Sequence, residues 1–173
     1  HEAGHAAIAR ANLSSLLLEE GRAVEALAEG VRAVAAFRAC GRSKEQAHAT
    51  SNLARIHLFL GEHAHAFEVA AHAGELASRI GDPYLQAHAR LVLAEVEADN
   101  DPAGAHGALA AVADAFSKIK HPRYEAEALL GAAKAALRTN QLPSATRLLD
   151  RVDASPAAGS SPIAAEAALR RAG

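Results

Sequence analysis

The first residues of the chain carry the pattern His-Glu-x-x-His. If they form a helix, His1 and His5 lie one turn apart on one face, where two imidazoles can bind zinc, and Glu2 can act as a general base. A catalytic zinc site needs a third protein ligand, and no downstream Glu, Asp or His shows an accompanying pattern. The pattern alone therefore does not predict a zinc enzyme.

The sequence HEAGHA also resembles the zinc helix of membrane-anchored AAA-type metalloproteases. That resemblance implies zinc ligation by His1 and His5 with Glu2 as the base, and it leaves a metallopeptidase fragment as a remote alternative. Against it, His5 is not followed by the x-x-Gly-x-x-His extension, and the repeat pattern described below places His1 in a turn between repeats.

The other histidines and the single cysteine form no metal-binding pattern. His63 and His65 are two residues apart and cannot share a helix face, and His72 is expected to face outward. Cys40 cannot form an internal disulfide, which indicates a reducing, cytoplasmic setting, and we expect it to be a small buried residue. We predict no catalytic residues, no metal and no cofactor.

Composition favours an all-α protein that binds neither nucleic acid nor membrane. Of 173 residues, 50% are hydrophobic but only 3% aromatic, and the formal net charge is -2. This charge excludes a strongly basic nucleic-acid binder, and few aromatic residues are present to stack on bases. No run of about 18 apolar residues could span a bilayer. Abundant alanine, the best helix former, and the absence of alternating strand patterns predict helices throughout.

Turn-forming residues recur at a spacing of about 40 residues, which predicts a repeat protein. Glycine and asparagine tolerate the left-handed conformation that ends many helices. One set of turn residues falls between repeats: His1, Gly41, Gly81, His121 and Ser161. A second set falls within repeats, and an alanine follows each of its members after five residues: Gly21, Gly61, Asn100 and Asn140, then Ala26, Ala66, Ala105 and Ala145.

Capping residues agree with this spacing. Asp82, Asp101 and Ser161 each precede a proline, as an N-cap precedes proline at the first helical position. Ser43 with Gln46 matches a capping box. We predict helices near residues 2–20, 22–40, 43–60, 62–80, 83–99, 102–119, 122–139 and 142–153, and the start of a ninth near 162–171.

These helices form one predicted domain over residues 1–173. Its repeats lie near 1–40, 41–80, 81–120 and 121–160, and a partial helix follows at 161–173. Antiparallel helix pairs joined by short turns are typical of a helical solenoid.

Two segments, Asn12–Gly21 and Asn52–Gly61, resemble tetratricopeptide repeats (TPRs), as does the spacing from each glycine to its alanine. They are most similar to the long-period type of kinesin light chains and maltose-regulator-like bacterial transcription factors. The resemblance implies a right-handed superhelical solenoid of about four repeats plus a partial fifth, with the first helix of each pair lining a concave surface. Repeats three and four depart from the pattern, since Leu91 and Gly131 replace the asparagine.

The asparagines suggest a way to hold a peptide. An asparagine amide both donates and accepts hydrogen bonds, as an extended peptide backbone requires. The TPR resemblance implies that Asn12 and Asn52 clamp such a backbone in the concave groove. The alternative is that they bond only to neighbouring helix backbone or water.

Positive charge on the same predicted face favours an acidic partner. The nearby groove positions are His48 toward the rim, Ser51, Arg55, Arg90, Lys134 and Arg138. The alternative is that these cations pair within the chain with Glu62, Glu95, Glu97 or Glu127.

We therefore expect a non-enzymatic repeat module that binds a protein or peptide. The TPR resemblance implies a regulatory or sensor region of a larger bacterial signalling protein, such as a transcription regulator or a serine/threonine kinase. A self-associating, dimerising arm is the alternative.

Overall fold

The computed structural model describes residues 2–155, and the predicted all-α fold is confirmed. Every predicted helix that lies within these residues is present, with bounds within two residues of those expected. The helices are α1 (Glu2–Glu19), α2 (Ala23–Ala39), α3 (Ser43–Phe59), α4 (His63–Ile80), α5 (Pro83–Glu97), α6 (Pro102–Lys118), α7 (Pro122–Arg138) and α8 (Leu142–Asp153). The predicted helix at 162–171 and the repeat residues beyond 155 lie outside the described residues.

The chain divides into two compact units between Val96 and Glu97. In the first unit α1 packs on α2, α2 on α3 and α3 on α4, and α1 also contacts α3. In the second unit α6 packs on α7 and α7 on α8. Packing between consecutive helices is the contact pattern of a helical repeat. The single-domain interpretation and the right-handed superhelix stay predictions.

Small side chains let the helices approach closely. One buried cluster consists of Ala7, Ala33 and Ala49 around the ring of Phe37. Gly30 of α2 marks another close approach, because a Cβ at this position would lie 2.6 Å from the Cδ2 atom of Leu53. The core is thus built from many near-backbone contacts.

The alanines predicted to recur are core residues. Ala26 and Ala66 are fully buried, while Ala105 and Ala145 are 4% and 2% exposed. Each lies in the first turn of the second helix of a pair, where the chain has just reversed direction. A larger side chain there would hold the two helices apart, which accounts for the repeated alanine.

Most of the predicted turns adopt the left-handed conformation. Gly21 and Gly61 have φ of 77° and 76°, and Asn140 has φ of 58°. The prediction for Asn100 was wrong: the only non-glycine residues with positive φ in the described chain are Lys120 and Asn140. The turn at Asn100 closes instead through two amides, those of residues 100 and 101, which both donate to the carbonyl of Glu97.

The N-caps at Asp82 and Asp101 are confirmed. Asp101 accepts a hydrogen bond from the amide of Gly104 at 2.9 Å, and Asp82 accepts one from the amide of Tyr84 at 3.0 Å. The Ser43 capping box was wrong, because α3 already begins at Ser43 and the preceding cap position has no side-chain hydrogen bond. The predicted cap at Ser161 lies outside the described residues.

Two further observations concern exposure. Cys40 is exposed at the end of α2, so the expectation of a buried thiol was wrong; the left-handed Gly41 ends the helix there, away from the core. Among the described residues, no helix combines the length and hydrophobicity needed to cross a bilayer.

Candidate functional site

Three helices of the first unit are connected side by side. The helices α1, α3 and α5 are the first members of consecutive pairs, and α1 contacts α3 directly. Two ion pairs connect α3 with α5 and its cap, Lys44 with Asp82 and Arg55 with Glu95. These connections arise because the spacing within each pair is close to one repeat, which places both residues at matching heights on neighbouring helices.

A cleft of about 340 Å³ opens among these helices, and we call it the inner cleft. Its volume is near the lower end of the range for ligand pockets. Two residues predicted from the sequence, Asn12 and His48, line it together. Its other lining residues are Ile8, Ala11, Phe37, Lys44, Glu45, Ala49, Asp82, Tyr84 and Leu85. The cleft therefore combines apolar walls with an amide, aromatic rings and charged groups.

The charged groups of the inner cleft are paired with each other or with close neighbours. The Lys44 Nζ atom donates a hydrogen bond to Asp82 Oδ2 at 2.8 Å. This bond lowers the pKa of the Asp82 carboxyl and raises the pKa of the Lys44 ammonium. Glu45 forms an ion pair with Arg42, one turn away on the same segment. The cleft therefore carries charges of both signs in balance.

His48 is a half-buried ring in the wall of the inner cleft. Its centroid lies 4.5 Å from that of His88 and 5.9 Å from that of Tyr84. Burial lowers the pKa of the His48 imidazole, and the positive charge of Arg55 lowers it further. Its Nε2 atom is buried and has no hydrogen-bond partner among the described residues. The His48 ring is thus held neutral near physiological pH.

Three other predicted groove residues, on α1 and α3, differ in accessibility. Asn12 of α1 is exposed, and Asn52 is half-buried. Ser51 is buried, and its hydroxyl donates to the carbonyl oxygen of Ala47 at 3.3 Å, so it serves its own helix. The two asparagines are consequently better placed than Ser51 to meet a partner.

Arg55 forms a two-point contact with a carboxylate of the same unit. Its Nε and Nη2 atoms donate to the two carboxylate oxygens of Glu95 at 3.0 and 3.2 Å. This is one of the internal pairings considered as the alternative to partner binding. Arg90 of α5, by contrast, is exposed.

Two predicted cations belong to the second unit, and neither lines the inner cleft. Lys134 of α7 is exposed. Arg138 donates to the carbonyl oxygen of Ala98 at 2.9 Å and to Asp99 Oδ1 at 2.7 Å. Arg138 therefore ties the end of α7 to the turn before α6.

Sequence reasoning missed Tyr84 and His88 as partners of His48. The available signal was the 40-residue spacing from His48 to His88, which equals one repeat and places two aromatic rings at equivalent positions on neighbouring helices. The pairing of Lys44 with Asp82, 38 residues apart, follows the same rule.

The described residues contain no group of three or more His, Cys, Asp or Glu side chains able to hold a metal ion. Glu2 and His5 are exposed on α1, and His1 lies outside the described residues. The structure therefore adds no third ligand to the His-Glu-x-x-His pattern.

Comparison with known proteins relates this fold to solved structures. No protein-family model and no curated protein sequence matches the chain significantly. A Rap protein complexed with Competence and Sporulation Factor is similar over 96% of this chain and 44% of its own, with a TM-score of 0.80 and 14% identity. The apo form of RapI is similar over 88% of this chain and 43% of its own, with a TM-score of 0.69 and 14% identity.

A putative kinesin light chain with nearly identical TPR-like repeats, from Podosopora anserina, is also similar. The similarity covers 93% of this chain and 78% of that chain, with a TM-score of 0.67 and 18% identity. The fold is a TPR-like helical repeat. The chain spans less than half the length of the two Rap proteins.

Proposed function

We propose that this chain is a non-enzymatic module that binds a protein or peptide segment at the inner cleft. The observation that carries the proposal is that Asn12 and His48, both predicted from sequence as groove residues, line one cleft among the first helices of consecutive pairs. A preformed cleft on packed helices lowers the ordering cost of binding.

The similarity to solved structures supports this proposal at the level of the fold. One similar structure is a Rap protein in complex with Competence and Sporulation Factor, so a helical repeat of this kind can hold a bound factor. We further propose a regulatory or sensor role within a larger bacterial signalling protein of the cytoplasm, such as a transcription regulator or a serine/threonine kinase. The long-period TPR type belongs to the same proposal.

An acidic partner fits the exposed positive charge of the predicted face. Arg90 and Lys134 are both exposed, each within the unit to which it belongs. A carboxylate brought to such a site gains charge-assisted hydrogen bonds that a neutral group does not.

Peptides selected from a random display library provide a direct test. A selected peptide, labelled with a fluorophore, is titrated by anisotropy against the wild-type chain and against Asn12→Ala/Asn52→Ala. We expect the double variant to weaken binding about tenfold or more, because two backbone hydrogen bonds are lost, while the helical circular dichroism is unchanged.

The matched control is Glu68→Ala/His72→Ala, which changes two exposed residues of α4. This control should bind like the wild type. A library that yields no binder, or a selected peptide that binds the Asn variant with unchanged affinity, would contradict the proposal.

Self-association is a second candidate function. Leu13 and Leu16 are 45% and 57% exposed and lie one turn apart on α1, and Val24 of α2 is 73% exposed. Exposed apolar groups of this size can mark a contact between copies. Light scattering over a dilution series tests this: a dimer that dissociates on Leu16→Lys would support self-association, and a monomer at all concentrations would exclude it.

A further inference from the structure

A fully buried imidazole and a half-buried one meet between α3 and α5. The ring centroids of His48 and His88 are 4.5 Å apart, and the His88 side chain is completely buried. The Tyr84 ring lies 5.9 Å from each of them, so the three rings form one aromatic cluster. Because His48 also lines the inner cleft, this contact forms part of the cleft wall.

The carboxylates around this contact already hold positive charges. Glu45 pairs with Arg42, and Asp82 pairs with Lys44 at 2.8 Å. Farther along α3, the Arg55 guanidinium is held by Glu95. The positive charge of a protonated His48 would therefore lie near cations and near carboxylates that are already paired.

The described residues that line the cleft from α1 and α2, and those of the adjacent core cluster on α4, carry no titratable side chain. The cleft is lined from α1 and α2 by Ile8, Ala11, Asn12 and Phe37. The adjacent core cluster includes Ala73 and Ala77 of α4. Protonation of His48 in such surroundings carries a desolvation cost, which Glu45 and Asp82 offset little because they are already paired with Arg42 and Lys44.

We propose that the His48–His88 contact is a proton-sensitive latch between α3 and α5, which holds while the His48 ring is neutral and loosens when that ring is protonated. Loosening it alters the inner cleft, and the effect on peptide binding rests on the function proposed above.

The direction of the pH effect follows from the lowered pKa of His48. In the unfolded chain this imidazole titrates near its ordinary value of about 6.5. Its contribution to stability is therefore complete above that pH, and it is lost as the pH falls from about 6.5 toward the lower pKa of the folded state. At pH 5, one histidine that stays neutral in the fold raises the unfolding constant by up to about thirtyfold.

The first test compares thermal unfolding at pH 7.5 and pH 5 in wild type and His48→Phe, which keeps an aromatic ring without the titrating nitrogen. We expect the ratio of the unfolding constants at the two pH values to fall at least fivefold in His48→Phe. The matched control is His72→Gln, at an exposed histidine of α4, which should retain the wild-type ratio. An equal ratio in wild type and His48→Phe would overturn the latch.

The second test needs no substitution. In the wild-type chain, NMR titration of the imidazole Cε1–H resonances should give His48 a lower midpoint than His72, with Tyr84 ring resonances shifting at the His48 midpoint. Equal midpoints for His48 and His72 would overturn the latch even if His48→Phe fails to fold.

A third measurement separates the latch from the proposed function. The affinity of a library-selected peptide is measured at pH 7.5 and pH 5. If the latch titrates and the peptide never binds, the proposed function fails and the latch stands. If the peptide binds the cleft at both pH values and neither histidine test shows the shift, the latch fails and the function stands.

Discussion

Arg55 illustrates how a residue predicted to bind a partner can already be held within its own unit. Its guanidinium meets both carboxylate oxygens of Glu95, and both side chains are about three-quarters buried, with 21% and 25% exposed. A carboxylate of the partner would therefore have to compete with Glu95. Substituting Glu95 therefore tests whether Arg55 takes part in binding.

Replacing Glu95 by glutamine should increase the affinity for an acidic selected peptide about threefold to tenfold, because the internal carboxylate no longer opposes the incoming one. Anisotropy titrations at low and high salt measure this, and the gain should shrink as salt rises. Glu68→Gln, on exposed α4, should leave affinity unchanged. An unchanged dissociation constant in Glu95→Gln would show that Arg55 takes no part in binding.

The repeat spacing places Asn12 and His48 on the first helices of the first two pairs, and both residues line the inner cleft, while their contact with a partner stays a prediction. The repeat spacing could not show which predicted cations form ion pairs within the chain. The sequence groups Arg55, Arg90, Lys134 and Arg138 as one set of cations, and the structure pairs Arg55 and Arg138 with carboxylates. Pairing depends on which side chains neighbouring helices bring together, which one-dimensional spacing does not specify.

At the scale of the helices, caps and turns carry measurable stability. Asp82 caps α5 and pairs with Lys44, so both roles depend on its carboxylate. We expect Asp82→Ala to lower the free energy of unfolding by about 1 kcal/mol. Asp82→Asn, which can still accept from the amide of Tyr84, should cost less.

Thermal unfolding measures both variants. The pKa of the Asp82 carboxyl is lower in the folded state than in the unfolded chain. The ionised carboxylate therefore stabilises the fold fully above the ordinary carboxyl pKa, and this stabilisation is lost as the pH falls through the lowered pKa. The difference between Asp82→Asn and wild type should therefore vanish at strongly acidic pH. A difference that stays constant with pH would contradict the ion-pair assignment.

Lys120 offers the opposite case, a side chain in a conformation that suits glycine. Its φ is 56° at the turn between α6 and α7, where the other inter-repeat turns have Gly41 and Gly81. Lys120→Gly should therefore raise the free energy of unfolding by about 0.5–1 kcal/mol. Ala111→Gly, at an exposed position inside α6, should lower it by about 1 kcal/mol. Loss of stability in both variants would show that Lys120 is not strained.

Helix positions were predictable because alanine, proline and turn glycines recur with the repeat. The errors arose at turns and caps where the local sequence is compatible with two backbone conformations. Asn100 suits a left-handed turn, but the amides that follow α5 fold back onto Glu97 instead. Ser43 suits an N-cap, but the left-handed Gly41 brings the chain into α3 one residue earlier.

For the whole molecule, the fold class followed from periodicity, and the similar solved structures share that fold at 14–18% identity. The inner cleft could not be predicted in the same way. It depends on Phe37, Tyr84 and Asp82 from three different segments meeting beside Asn12 and His48.

An amide chemical-shift map of the chain with and without a library-selected peptide tests the proposed binding surface most directly. The account predicts that the largest shifts cluster around the inner cleft, at residues such as Asn12, His48 and Tyr84, and that α4 residues such as Glu68 and His72 change little. Shifts centred on α2 and α4, with the inner cleft unaffected, would contradict it.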